Sequence, residues 1–321
     1  MILAGDIGGT KTLLGLFEPT DERPRMIEHR AFPTLDYASL ADMARAFLAP
    51  FGIDRLDTAS FGVAGPVVEQ TAQLTNVPWS IDAMEVAAHL NVGRLALLND
   101  LQAIAYAVPV LRSEELEVLQ EGQRVAEGGA AVIAAGTGLG EALLPRVAGR
   151  LVPSPSEAGH ADFAPRTPRE IEFLMELTRV FGRAEWEQVL SGRGLVNLFR
   201  FRHRTECLAA VDPDDGVRAP ALISAAALEG RCPDCVETLE MFVDAYGAEA
   251  GNLALRAVAT AGLFIGGGIA PKVLPALKTG RFLAAFLSKP PMDEFLAKIP
   301  VSVILDDRAG LLGAAVHASR L

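Results

Sequence analysis

The chain has 321 residues, 50% hydrophobic and 21% charged, the balance of a globular protein long enough to bury the cores of two domains. A net charge of −11 at pH 7 excludes the broad basic face that a nucleic acid or an anionic membrane would need, yet leaves nucleotides open, because backbone N–H groups and Mg2+ meet phosphates locally. No apolar run reaches the about 20 residues of a membrane-spanning helix, and an opening on a strand and glycine turn predicts no signal peptide.

Residues 1–6 and 12–17 read as two strands joined by a turn at Gly8-Gly9. Residues 35–48 have helical spacing of apolar positions, and 57–63 read as a buried strand with 67–74 returning across Gly65-Pro66. A helix over 81–90, a strand over 95–98 and a helix over 101–108, ended by Pro109, follow. The charged, glycine-tipped stretch 112–129 reads as a crossing between domains. A new strand starts at 130, and 141–147 pairs back across a second glycine turn. Helices are predicted over 168–181, 185–190, 195–204, 220–228 and, longest, 235–259, with a loop over 207–218. The strand 263–265 leads into a third glycine cluster, 301–304 is the last strand, and 309–319 is the closing helix. Each half begins with a strand, a glycine turn and a return strand, and gains helices later. That order predicts two α/β domains with a cleft between them, the smaller from 1–110 plus 301–321 and the larger from 111–300.

The glycine turns carry the first chemical signal. Glycine lets the backbone approach a ligand and aim successive N–H groups at an anion. The first turn, Gly5-Asp6-Ile7-Gly8-Gly9-Thr10-Lys11, leads into a strand, whereas a Walker A loop leads into a helix. Asp6 stands where it would hold Mg2+ through water, and Thr10 where its hydroxyl would meet a phosphate; the alternative is a hairpin whose glycines serve geometry alone. Gly136-Thr137-Gly138-Leu139-Gly140 is the second turn and Gly266-Gly267-Gly268 the third. Asn99 and Asp100 end a buried strand, where open α/β sheets bind ligands. Asn both donates and accepts, and Asp is a base, which suits a polyhydroxyl substrate; the alternative is an N-cap on the following helix. Glu157, His160 and Asp162 crowd one loop, suited to sugar hydroxyls or to a metal. Glu185 and Glu187 flank Trp186, where either reaches a ligand or both are solvated. The cysteines are Cys207, Cys232 and Cys235, an odd number that suggests a reduced, cytoplasmic setting. Cys232-Pro233-Asp234-Cys235 has the spacing of a redox or metal pair. With no second such pair and no nearby His, incidental cysteines at a helix start are expected, and no metal held directly by protein ligands.

Together these segments resemble the proteobacterial-type glucokinase family, within the actin-like sugar-kinase and heat-shock ATPase superfamily. The resemblance is carried by Gly5-Asp6-Ile7-Gly8-Gly9-Thr10, Leu74-Thr75-Asn76-Val77-Pro78-Trp79, Leu98-Asn99-Asp100 and Gly136-Thr137-Gly138-Leu139-Gly140. It continues through Glu157-Ala158-Gly159-His160-Ala161-Asp162-Phe163-Ala164-Pro165, Leu190-Ser191-Gly192-Arg193-Gly194-Leu195 and Gly267-Gly268-Ile269-Ala270-Pro271. It implies two actin-like (ribonuclease H-like) α/β domains and transfer of phosphate from ATP to the 6-hydroxyl of glucose. Asp100 would be the base, with Asn99, Glu157, His160 and Glu187 on the other hydroxyls. Asp6, Gly8, Gly9, Thr10, Lys11, Gly136, Thr137 and Gly138 would face the ATP phosphates with Mg2+, and Gly267 and Gly268 the adenosine. A cytoplasmic homodimer is implied as well. Lys11 stands where many members carry Asn, Ala158 where glycine is common, and Glu141 where a small apolar residue is usual, placing a charge near the nucleotide. The repressor-and-kinase group usually has a zinc-binding cysteine cluster after its His, and this chain has none there. The alternatives are a kinase for mannose, fructose or an N-acetylhexosamine, and a sugar-sensing, non-catalytic protein of the same fold.

Overall fold

A computed structural model describes residues 1–74, 77–203 and 206–321. Thr75 and Asn76 of the 74–79 segment, and Arg204 at the end of the expected helix 195–204, lie outside the described residues. Contacts divide the chain into two units. One comprises Met1–Glu115, Val152–Pro155 and Asp306–Leu321, the other Leu116–Leu151 and Ser156–Leu305. No helix among the described residues is long and apolar enough to cross a membrane.

In the first unit the sheet order is Arg25–Pro33, Lys11–Glu18, Ile2–Ile7, Leu56–Val63, Val92–Asn99. The first three strands are antiparallel, and the last two run parallel to Ile2–Ile7. Ile2–Ile7 is apolar almost throughout because it sits mid-sheet, covered on both faces. Arg25–Pro33 is missing from the sequence reading because it is an edge strand, exposed and charged, with no alternating pattern to find. The expected return of 67–74 onto 57–63 does not occur. Val67–Val68 turns back on Thr71–Gln73, which pairs with Ser80–Asp82 in a small separate sheet. Glu69 and Gln70 make the two-residue turn with φ of 49° and 61°, the geometry of a tight hairpin loop.

Five consecutive strands of the second sheet run Leu139–Leu144, Ala130–Ala135, Gly262–Gly266, Val301–Ile304, Leu116–Gln120. It repeats the start of the first sheet: an antiparallel hairpin, then a parallel partner for its first strand. The expected crossing 112–129 therefore contains a strand. Val301–Ile304, assigned to the smaller domain in the sequence reading, pairs in parallel with Gly262–Gly266 in this sheet instead. All four of its residues are buried, so it belongs inside a sheet, and Leu116–Gln120 closes its other edge. The expected helix 185–190 is one 3-10 turn, Trp186–Gln188. Pro168–Phe181 matches its expected bounds, started by a capping box between Thr167 and Glu170. Pro233–Ala257 is the long buried helix.

The expectation that no histidine lies near the cysteine pair fails in three dimensions. His203 caps the C-terminal end of Gly192–Arg202, and Cys232 the N-terminal end of Pro233–Ala257. Those ends meet, placing His203 Nε2 3.5 Å from Cys232 Sγ although 29 residues separate the two.

Of the segment 301–321, it is the closing helix, Ala309–Ala318, that joins the first unit. Its Leu311, Ala314, Ala315 and Ala318 pack on Ile2, Ala4 and Phe17. It crosses Asp100–Ala107 so closely that a Cβ on Gly313 would lie 1.7 Å from the Ala103 carbonyl oxygen. Gly313→Ala must push the two helices apart and should lower stability by at least about 1–3 kcal/mol. Scanning calorimetry reads this as a fall in Tm, and an unchanged Tm would show that the crossing tolerates a side chain.

Candidate functional site

In the first unit the candidate residues gather at the C-terminal ends of three adjacent strands. Asp6 pairs with Gly62, and Gly62 with Leu98, so the glycine keeps the middle strand bare between Asp6 and the Asn99-Asp100 corner. The Gly8-Gly9 turn is closed by the Gly8 N–H donating to the Lys11 carbonyl at 3.1 Å. Thr34 holds it from outside the motif: its hydroxyl donates to the Gly8 carbonyl at 2.8 Å and its N–H to the Thr10 carbonyl at 3.1 Å. Thr10 and Lys11 stay exposed on the turn. Burial, and then the nearby Asp100 carboxylate, push Asp6 up to about 6 against the opposing charge of Lys11.

Asn99 is the N-cap of the helix Asp100–Ala107. Its Oδ1 accepts from the Leu101 N–H at 3.0 Å and the Gln102 N–H at 3.4 Å, and its Nδ2 donates to the Gly65 carbonyl at 3.1 Å. Both readings of this position therefore meet in one amide, with the cap occupying its oxygen. Asp100 opens the helix, half-buried, and its Oδ1 accepts from the Leu101 N–H at 2.8 Å.

In the second unit two glycine turns converge on the end of Ala130–Ala135. Gly136 N–H donates to the Gly138 carbonyl at 2.8 Å, and the Gly136 carbonyl accepts from the Gly192 N–H at 2.8 Å. Glu187 lies against this turn, accepting from the Leu139 N–H at 3.1 Å. A Cβ on Gly138 would come within 2.5 Å of that carboxylate. Gly267, at φ 82°, lies against Ala135, whose carbonyl accepts from the Ile269 N–H at 3.2 Å. From behind, the Ala135 N–H donates to the Tyr246 hydroxyl at 3.2 Å.

The loop holding His160 is zipped to the one holding Glu187. Trp186 N–H donates to the Ala161 carbonyl at 3.0 Å and Phe163 N–H to the Ala184 carbonyl at 3.1 Å, while Trp186 packs edge-on against Phe163. Gly159 lets the loop press onto Leu139, where a Cβ would lie 2.1 Å from the carbonyl oxygen. The ligating atoms of His160, Glu185 and Glu187 lie within 4.8 Å of one another. His160 Nδ1 is 3.3 Å from Glu185 Oε1, and Arg183 bonds both Glu185 and the His160 carbonyl. The sequence left Glu185 and Glu187 as equal candidates, for a ligand or for solvent, and the family resemblance gave a sugar-binding role to Glu187 alone. The missing signal was the irregular 184–188 segment running alongside the histidine loop. Glu157 precedes His160 on the same 3-10 turn and is exposed. Asp162 forms a 3.4 Å ion pair with Arg183 at the surface, a contact of little energetic weight.

Glu141 corrects the expectation of a charge near the nucleotide. Burial, and then the Glu249 carboxylate, push it up to about 8, partly opposed by Arg256 at 3.3 Å, so it is mostly neutral at pH 7. Unfolding returns it to 4.5, so between about pH 4.5 and 8 the folded chain binds more protons than the unfolded one. Stability must fall as pH rises through that window and level off above it. Glu141→Gln, which keeps the neutral form, should remove that fall: its Tm relative to the parent rises from pH 5 to pH 8 in thermal melts. A difference independent of pH would show that Glu141 is charged in the native state.

The sequence matches the family model described as Glucokinase over residues 3–321. It is similar to a glucokinase of Nostoc sp., 39% identical over 341 residues that cover 100% of this chain and 99% of the relative. Among solved structures it resembles a glucokinase from an Antarctic psychrotroph, with a TM-score of 0.87 and 34% identity over 100% of this chain and 99% of the other. A ROK family glucokinase from Streptomyces griseus, solved with glucose and AMPPNP, shares the fold at a TM-score of 0.68 and 24% identity over 100% and 99% of the chains. The two units are actin-like α/β domains.

Proposed function

The chain belongs to the glucokinase family, and on that premise we propose how its residues divide the ATP-dependent phosphorylation of glucose at the 6-hydroxyl. Asp100 is the general base. The observation that supports this is its place at a strand's C-terminal end, its carboxylate oriented by the Leu101 N–H and close enough to Asp6 to raise that group's pKa. Asp100 takes the proton as the hydroxyl oxygen attacks the γ-phosphorus, and ADP leaves. With its oxygen engaged by the cap, Asn99 contacts sugar through the second proton of Nδ2.

Glu157, His160 and Glu187 hold the remaining hydroxyls. Glu185 fixes the His160 ring: Nδ1–H donates to its carboxylate, which leaves Nε2 to accept from a sugar hydroxyl. Glu187 acts on two fronts, since it also holds the Leu139 N–H at the second glycine turn. The N–H groups at Gly8, Gly9, Gly136, Thr137 and Gly138, with Thr10 and Lys11, meet the ATP phosphates, and Gly267 and Gly268 lie along the adenosine. Mg2+ bound with ATP would offset charge on the phosphates, and the hard carboxylate oxygens of Asp6 would hold it through water. The family resemblance also supports a cytoplasmic homodimer.

Asp100→Ala should lower kcat by about 10²–10⁴ with a smaller effect on glucose binding. A coupled assay of ADP release, run on glucose, mannose, fructose and N-acetylglucosamine, checks this. Turnover on glucose that survives in the variant would remove Asp100 from the base role, and preference for another hexose would keep the mechanism and change the substrate.

Below pH about 6 a proton competes with Mg2+ for Asp6, so the Mg2+ concentration for half-maximal rate should climb as pH falls through that value. Lys11→Met removes the charge that holds the Asp6 pKa down, so the climb should begin at higher pH. Identical Mg2+ profiles for parent and variant would exclude Asp6 as the group responsible.

A further inference from the structure

His203, Cys207, Cys232 and Cys235 converge within the second unit, and none of them takes part in the site described above. Their ligating atoms all lie within 4.8 Å of one another. Cys207 Sγ is 3.7 Å from Cys235 Sγ, and His203 Nε2 is 3.5 Å from Cys232 Sγ and 3.9 Å from Cys235 Sγ. A tetrahedral zinc site with Zn–S of about 2.3 Å and Zn–N of about 2.0–2.1 Å has S···S edges of about 3.8 Å and S···N edges of about 3.5 Å. The 3.7 Å Cys207–Cys235 and 3.5 Å His203–Cys232 separations match those edges, and the 3.9 Å His203–Cys235 separation is slightly longer. All three cysteines are free here, and 3.7 Å between Cys207 and Cys235 is far beyond the about 2.05 Å of a disulfide.

The imidazole is held as a ligand would be. His203 Nδ1–H donates to the Phe199 carbonyl at 3.1 Å, which fixes the tautomer and turns the Nε2 lone pair toward the sulfurs. The ring stacks on Phe199 with centroids 3.7 Å apart. Cys232 and Cys235 are 2% and 0% exposed, so the thiols are packed inward and not set out for exchange with other proteins. Three sulfurs and one nitrogen at tetrahedral spacing select zinc over harder cations, which take oxygen.

We propose that His203, Cys207, Cys232 and Cys235 bind one zinc ion in a closed, four-ligand structural site. Binding takes up one Zn2+ and releases the protons that the thiols still carry, while His203 binds through the Nε2 lone pair. Four protein ligands leave no position for water, so the ion stabilises and does not catalyse. It clamps the C-terminal end of Gly192–Arg202 to the N-terminal end of Pro233–Ala257. The first of these helices begins at Gly192, bonded to the Gly136 carbonyl, and the second carries Tyr246, bonded to the Ala135 N–H. The ion thus braces the two helices that support the second glycine turn.

The test is metal analysis of the full-length chain, purified under reducing conditions without added chelator. One zinc per chain is expected, with retention weakened about tenfold or more in Cys207→Ser and Cys235→Ser. Replacing zinc with Co2+ in the unaltered chain should give the visible bands of a tetrahedral site and thiolate-to-cobalt charge transfer. Stripping the metal should lower the Tm, and zinc alone should restore it. These last readouts need no variant, so a variant that fails to fold leaves the test intact. Reduced protein that holds no zinc and gives no cobalt spectrum would overturn the proposal, as would a native disulfide among the three cysteines found by mass spectrometry.

Discussion

The Leu139 N–H donates to Glu187 at 3.1 Å, and that bond decides where a loop with almost no side chains of its own must sit. A glycine turn suits an anion because its N–H groups are bare, yet bareness leaves nothing to hold the turn still. In both units the restraint comes from a distant part of the chain. Thr34 anchors the first turn through Gly8 and Thr10, while Glu187, Gly192 and Tyr246 anchor the second. The two turns therefore depend on elements outside their own glycine motifs. Because Glu187 also stands beside His160, the His160 loop and the second turn share one carboxylate.

The features legible in the sequence were those written as periodicity or as local turn chemistry. The two hairpins, the capping-box helix Pro168–Phe181 and the buried helix Pro233–Ala257 fall in this class. Features defined by a distant partner were not legible. Arg25–Pro33 is a strand because Lys11–Glu18 offers it a ladder, and its own residues read as charged surface. Val301–Ile304 was recognised as a strand, but which sheet receives it is decided by Gly262–Gly266. Within the site, Asn99 and Asp100 were visible because strand ends announce themselves. The contact of Glu185 with His160 and the proximity of His203 to Cys232 were not, since each depends on two segments folding side by side.

Like charges set the electrostatic character of both units. Asp6 lies near Asp100, and Glu141 near Glu249, each pair in surroundings that disfavour two negative charges. The outcomes differ with the neighbouring cation. Lys11 is exposed and only moderates the rise at Asp6, which stays near the edge of ionisation. Glu141 is fully buried and remains mostly neutral even with Arg256 at 3.3 Å. The first pair sits beside an exposed glycine turn, and the second, sharing a proton, sits in a core.

The packing of Leu311, Ala314, Ala315 and Ala318 on Ile2, Ala4 and Phe17 has a consequence for the order of events on the ribosome. Domains fold as units during synthesis, and the N-terminal one usually finishes first. Here the first strand waits for a covering helix that is translated only after the whole of the second unit has been made. The second unit, drawn from 116–151 and 156–305, can complete its core while the first still exposes the face that residues 309–318 will cover. The half of the protein made first is thus the half that matures last, and premature termination near the end of the message leaves its central strand uncovered.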